Sequence, residues 1–309
     1  MQRVRSKLQY TLFRQSWNIA ITPHPVAVVA GLEGRIKQRQ ALNQLQWMSE
    51  QRAAFAADPF IVARPGKPDD FLVFYEHFPW SQGRGCINCV EFSNGAFGAP
   101  ILSMGSPYHL SYPYILAHSD TLFMLPEHSE ARDLCLYKFD DTGLVCHKET
   151  LFRNIELIDS SILHWQDKYW LFATHAGPDE LSALYIYHAN ELEGPWLAHA
   201  ENPVKIDASN ARPAGQFIRH GNGLFRPAQD CQSRYGAGVV INEIKVLTEY
   251  AFEEIPVSDI RPELGWRYNY GLHTISSADD YTVIDGARIE STLHSSLDRL
   301  GQYFVPKVS

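Results

Sequence analysis

The chain has 309 residues, 45% of them hydrophobic, and a formal net charge of −8. That length buries a large core as one all-β domain or two smaller ones. The acidic balance speaks against nucleic-acid or anionic-membrane partners, which need a basic surface. No apolar run approaches the roughly 20 residues of a membrane span.

In chain order, residues 1 to about 55 stand apart. Met1 to Trp17 carries basic residues without a continuous apolar core, so no secretory signal is expected. Trp17-Asn18-Ile19-Ala20-Ile21 reads as a strand, and Gln38 to Ala56 as a stretch with a short helix. We read residues 1–55 as an extension packing on a domain that spans 56–309.

From there a block recurs with drifting sequence. Its starts fall at Asp58, Tyr112, Asp159, Arg212 and His273, about 47 to 61 residues apart. Each start opens a hydrophobic strand. A turn residue (Asp70, Asp120, Asp167, Asn222, Asp280) then precedes a second, aromatic strand. Third strands follow at 86–92, 134–139, 183–188 and 236–244, and Glu290 to Val305 is expected to close the ring. Short strands at this period predict an all-β, five-bladed β-propeller.

In such a ring the innermost strands meet at one axis, and two sets of polar side chains gather there. The first is the five starts. The second is the end of the second strands: Glu76, Glu127, His175, Asp230 and Asp285. Polar groups are costly to bury unpaired, so their recurrence at one structural position marks a wet, functional funnel. Plainer readings stand beside this one. Asp58 before Pro59 also suits a turn, and Arg212 suits a brace to Asp230 or Asp159 as well as a clamp for a carboxylate or phosphate. Asp70 and Asp167 read as turn residues, and His164 as packed or exposed.

The five cysteines (Cys86, Cys89, Cys135, Cys146, Cys231) are an odd count without a secretion signal, which fits free thiols and a cytoplasmic location. Cys86-Ile87-Asn88-Cys89 has CxxC spacing but falls on a strand, where residues three apart face opposite sides, and no second pair matches it. We assign no metal and no cofactor.

Ala57-Asp58-Pro59-Phe60, Phe71–Tyr75, Ile158–Ile162 and Leu192-Glu193-Gly194-Pro195-Trp196 resemble the five-bladed propellers of glycoside hydrolase family 43. The resemblance implies that Asp58 is a general base and that His273, on the last blade, faces the pocket; in related propellers that His can hold Ca²⁺ through water. There is a departure: those enzymes have a second Asp in blade two and a Glu acid in blade three, where this chain has Tyr112 and Asp159. A closer resemblance is to the N-terminal propeller domain of plant glucosamine inositolphosphorylceramide transferases. It rests on Leu110–Tyr114, Asp159–Ile162, Ala211-Arg212-Pro213-Ala214-Gly215 and Arg226-Pro227-Ala228-Gln229-Asp230-Cys231 with Tyr235-Gly236. In those proteins the glycosyl transfer is assigned to a separate domain.

Two functions follow as expectations. One is a carbohydrate-active enzyme that hydrolyses or transfers a glycosyl group. Asp58 would be base or nucleophile, Glu127 the acid and Asp159 the tuning carboxylate, with Glu76, Tyr112, His175, Arg212, Asp230 and His273 binding substrate. The other is a non-catalytic sugar-binding or partner module of a glycan or glycolipid pathway. The expected ligand is a carbohydrate or sugar-containing small molecule; the oligomeric state stays open.

Overall fold

A computed structural model of the protein describes residues 13–64, 67, 70–118, 121–139 and 145–291. These form five antiparallel sheets of four or five strands, the blades of a five-bladed propeller. Blade I is built on Ala54–Ala63, Phe71–Pro79 and Cys86–Ser93; blade II on Ser111–His118, Thr121–Glu127, Asp133–Phe139 and Val145–Arg153. Blade III follows with Leu157–Trp165, Lys168–His175 and Ala183–Ala189, and blade IV with Ile218–His220, Gly223–Asp230, Gly238–Leu247 and Phe252–Ile260. Asp120 and residues 292–305 lie outside the described residues.

Blade V is closed differently from the sequence reading. Its inner strands are Ile275–Ala278 and Tyr281–Ser291, and the next is Phe13–Thr22 from the other end of the chain, followed by Gln46–Trp47. The strand read as part of an extension is thus the third strand of the last blade, paired from Phe13↔Ser291 to Thr22↔Thr282. The reason is burial: Ile19, Ala20 and Ile21 are almost fully enclosed, which demands a partner on both faces.

Hydrophobic cores lie between the blades. Phe60, Tyr112, Leu136 and Leu171 join blades I to III, Phe172 and Leu224 join III to IV, and Ile241 and Ile284 join IV to V. Ile21, Ile61 and Val73 join V to I. Strands covered on both faces read as continuous apolar runs, as in Tyr169-Trp170-Leu171-Phe172-Ala173, rather than as alternation.

The starts of blades I, II and III share one backbone device. Asp58, Tyr112 and Asp159 all take positive φ (52°, 42° and 51°). At each, the register with the second strand slips, between Ala57/Phe60, Ser111/Tyr114 and Ile158/Ser161. A bulge re-aims the side chain it carries, and left-handed backbone at a non-glycine residue costs on the order of 1 kcal/mol or more, so the surrounding fold must hold it. In blade IV the left-handed position passes to Gly215 (φ 124°), which bridges to Ile275 of blade V and has no room for a Cβ.

Candidate functional site

The axial funnel ends in a cavity of about 260 Å³. Blade I supplies Asp58 and Glu76, blade II Glu127, blade III Asp159, blade IV Arg212 and Tyr235, and blade V His273 with Trp17 from the N-terminal strand. The loop between blades I and II adds His109. Six of the nine sequence-derived candidates therefore meet: Asp58, Glu76, Glu127, Asp159, Arg212 and His273.

The other three do not line it. Tyr112 is fully enclosed, and its hydroxyl is shared with Ser161 Oγ at 2.8 Å and accepts the Gly215 N–H at 2.6 Å. That makes it an axial tie between blades. His175 lies tilted against Tyr185 and hydrogen-bonds the Tyr187 hydroxyl at 2.7 Å. Asp230 pairs with Arg261 at 2.5 Å. The two miss it differently. In blades I and II the residue before the start lies opposite Glu76 or Glu127 (Ala57↔Glu76, Ser111↔Glu127). In blade III the same partner is Thr174, and His175 is one residue further on, a step that turns a strand side chain to the other face. In blade IV Gln229 lies against the start and reaches Asp159, while Asp230 is taken by Arg261.

Asp159 Oδ2 accepts Arg212 Nε at 2.6 Å and Gln229 Nε2 at 2.7 Å. Gln229 also donates to Pro213 O, so it anchors the Arg212 segment from behind. Behind that again, Arg226 is clamped by Glu254, by Ala211 O and by Asn210 O. The Arg226-Pro227-Ala228-Gln229 motif thus builds the wall that holds Arg212. Burial works against the Arg212 charge, but Asp159, Tyr235 and Glu127 outweigh it and hold the guanidinium protonated. Its face lies 5.3 Å from the Tyr235 ring centre.

Asp58 Oδ1 accepts the Thr274 hydroxyl at 2.7 Å, and Oδ2 accepts the Tyr112 N–H at 3.2 Å. Burial lifts its carboxyl to about 6; His273 opposes, while Asp159 and Asp285 add to the rise. His273 stacks on Trp17 at 4.1 Å, with Nε2 3.5 Å from Asp58 Oδ1 and Nδ1 2.5 Å from Asp285 Oδ2. The Nδ1 contact is one of charge, since it lacks in-line hydrogen-bond geometry. Burial pulls this imidazolium down, but Asp285 and Asp58 prevail and raise it to about 9. Asp285 also accepts the N–H groups of Asp58, His273 and Thr274.

Glu127 Oε1 accepts the Ser129 hydroxyl at 3.0 Å and Oε2 the Asp159 N–H at 3.3 Å. Burial, then Asp159, push it to about 8 against the pull of Arg212. Burial, then Asp58 and Glu127, hold Glu76 well above the usual carboxylate range. Next to it, His109 Nδ1 accepts the Gly85 N–H at 2.9 Å, which places the ring proton on Nε2, 3.5 Å from Glu76 Oε1. Burial lowers the His109 pKa and keeps that ring neutral. At neutral pH the cavity therefore holds a protonated Glu127, with Glu76 biased toward its protonated form, beside carboxylates matched by Arg212 and His273.

Asp58, His273 and Asp285 each offer one ligand atom, all within 4.8 Å of one another. The set fits a proton better than a hard cation. Hard cations take about six to eight oxygens, and the Asp285 oxygens already accept three N–H groups.

Sequence reasoning missed Gln229, Thr274, Tyr235, Trp17 and His109 as site residues. Asp285 it placed in the ring without a role. Gln229 carried a signal, since it directly precedes Asp230 in the same motif. His109 carried none, because it sits in a loop outside the repeat.

Fold and cavity together define a five-bladed β-propeller with a carboxylate-rich axial pocket. Its fold is similar to that of an exo-β-1,3-galactanase from Clostridium thermocellum (TM-score 0.53, 12% identity, covering 70% of this chain and 54% of that one). It is also similar to a GH43 β-1,3-galactosidase (TM-score 0.54, 7% identity, covering 71% and 52%). The chain belongs to the family described as glucosamine inositolphosphorylceramide transferase 1, N-terminal, whose model matches residues 45–265. It is 30% identical over 253 residues to glucosamine inositolphosphorylceramide transferase 1 of Oryza sativa subsp. japonica, covering 77% of this chain and 34% of that protein. The Arabidopsis thaliana relative of the same name is 27% identical over 253 residues, covering 77% and 33%. The chain thus spans about a third of the length of these relatives.

Proposed function

We propose that the axial cavity takes one glycosyl unit and hydrolyses or transfers it by carboxylate acid/base chemistry. The observation that carries this reading is the split in protonation within one small cavity. Glu127, at about 8, keeps its proton at neutral pH, while Asp58, at about 6, has lost its own. Environments that push two carboxyls apart define an acid and a base. Glu127 would give its proton to the leaving glycosidic oxygen as the C–O bond breaks. Asp58 would take the proton of the incoming water or acceptor hydroxyl as the new C–O bond forms. Asp159, held by Arg212 and Gln229, would fix the charge between them. The relatives' name, which includes glucosamine and inositolphosphorylceramide, agrees with a ligand that carries a sugar or polyol.

A second reading is a non-catalytic sugar-binding module. It is favoured by the ion pairs Arg212–Asp159 and His273–Asp58, which neutralise two of the three acids assigned to the chemistry. One experiment separates the two. Wild type, Glu127→Gln and Asp58→Asn are assayed for turnover and, by calorimetry, for binding of aryl glycosides and nucleotide sugars. The catalytic reading expects turnover with limbs near pH 6 and 8, reduced about 100-fold or more in either variant. The binding reading expects affinity without turnover. Neither affinity nor turnover for any sugar would sink both.

A further inference from the structure

A second, larger cavity of about 450 Å³ lies on the blade I flank of the axial one. His77, Gln82, Arg84, Cys86, Asn88 and Ser106 face it. One loop, residues 105–110, borders both cavities. Residues 80–85 supply Gln82 and Arg84 to the outer one, while residues 105–110 supply Ser106 to the outer and His109 to the axial one.

Gly85, which lines the outer cavity, carries no side chain and lies close against Glu76 of the axial one. A Cβ on Gly85 would collide with Leu110 O and lie 2.7 Å from Glu76 Oε1, inside the axial cavity. Gly85 is pinned by its N–H to His109 Nδ1 and by the Leu110 N–H to its O at 3.1 Å. Strand alternation makes Glu76 and His77 serve opposite sides, one cavity each.

The outer cavity is polar and nearly uncharged. Arg84 is its one charged lining residue among the described residues. Burial lowers the His77 pKa, so its ring is neutral, and its Nδ1 is buried without a partner. Carboxamides, a hydroxyl and a neutral imidazole, beside the apolar Leu102 and Pro79, match the alternating hydroxyls and C–H faces of a polyhydroxylated ring.

We propose that the outer cavity is a second subsite, holding the polyhydroxylated ring joined to the glycosyl unit in the axial cavity. This rests on the reading that the axial cavity holds a glycosyl unit. A ligand seated in both would pass Gly85, beside Glu76 and His109.

Cys86 gives the subsite a built-in reporter. It is a free, half-buried thiol in the outer cavity, whereas Cys146 is exposed and Cys89, Cys135 and Cys231 are buried. In a Cys146→Ser background, N-ethylmaleimide labelling of Cys86 is followed with methyl glycosides of hexoses and hexosamines. The series is repeated with the matching disaccharides and glycosyl-inositols. Two-ring ligands are expected to slow labelling about fivefold or more and to bind about tenfold tighter than one-ring ligands, or about 1.4 kcal/mol. Gln82→Ala, at an exposed position, should erase that gain and leave one-ring affinity unchanged. One-ring binding that Glu127→Gln weakens, with no gain from a second ring and no protection of Cys86, overturns the subsite alone. No binding of either series, with Cys86 equally reactive throughout, overturns the subsite and the glycosyl reading together. If Cys86 proves unreactive in the free protein, the affinity series with Gln82→Ala decides.

Discussion

Arg212 and Asp159 form a 2.6 Å ion pair across the boundary between blades IV and III, and the oxygen that Arg212 holds is also held by Gln229. Both charges are enclosed, with Arg212 8% and Asp159 4% exposed. A pair buried this deeply contributes little when intact, yet removing one partner leaves an uncompensated charge. Arg212→Met is therefore expected to cost about 3–5 kcal/mol in urea unfolding. Adding Asp159→Asn should recover most of that loss. A double variant no better than the single one would show that Arg212 is held by other contacts.

Three cavity groups, His273, Glu127 and Asp58, make stability fall as pH rises; Glu76 acts in the same sense, and His109, lowered by burial, acts in the opposite sense as pH falls through its ordinary value. His273 is raised from its ordinary 6.5 to about 9, so its contribution is complete below about 6.5 and lost as pH rises through 9. Glu127, raised from 4.5 to about 8, keeps a proton that the unfolded chain has already released, so stability falls between those values. Asp58, raised from 3.8 to about 6, acts likewise in its own window. Glu254, Asp259 and Glu290 are held low by their arginine partners and oppose this only as pH falls through the ordinary carboxylate range. Stability should thus decline from about pH 6.5 toward pH 9. Glu127→Gln should flatten the part below pH 8, and denaturation curves at pH 5.5, 7 and 8.5 would expose equal slopes if Glu127 does not titrate there.

Tyr112→Phe removes the hydroxyl that accepts the Gly215 N–H at 2.6 Å and meets Ser161 Oγ. An orphaned buried donor costs about 1–3 kcal/mol. Because Tyr112 lies outside the cavity lining, affinity for any axial ligand should stay within about twofold once the protein is folded. A selective loss of affinity with normal stability would return Tyr112 to the binding surface.

Gly85→Ala should disturb the site more than its size suggests. The added methyl meets Leu110 O and the Glu76 carboxyl, so the loop carrying His109 must move. Overpacking of this kind costs about 1–3 kcal/mol. The readout is the imidazole resonance of His109, which should lose its fixed Nε2–H tautomer when the Gly85 N–H is displaced.

The blade period, the inner strands and most of the axial ring were legible because they depend on local pattern: polar start, apolar run, turn, aromatic run. Asp58, Glu76, Glu127, Asp159, Arg212 and His273 were found in this way. What escaped depends on register. The pairing of first and second strands slips near each of the first four starts, and no residue type announces it. Aligning strand ends then lands at His175 and Asp230, one residue past Thr174 and Gln229. Closure of blade V escaped for another reason: Trp17–Ile21 reads as a strand, but its partner lies at the far end of the chain.

That closure sets an order of assembly. Ile19 pairs with Asp285, the residue that grips His273, so a strand made ahead of the other blades waits for a neighbour made after them. Until the fifth blade emerges, an apolar strand stays unpaired while four blades can already stack. Contacts of such long sequence separation are slow to form, because loop closure must come first. The acid-rich pocket, which needs Trp17 and His273 together, comes into being only at that final step.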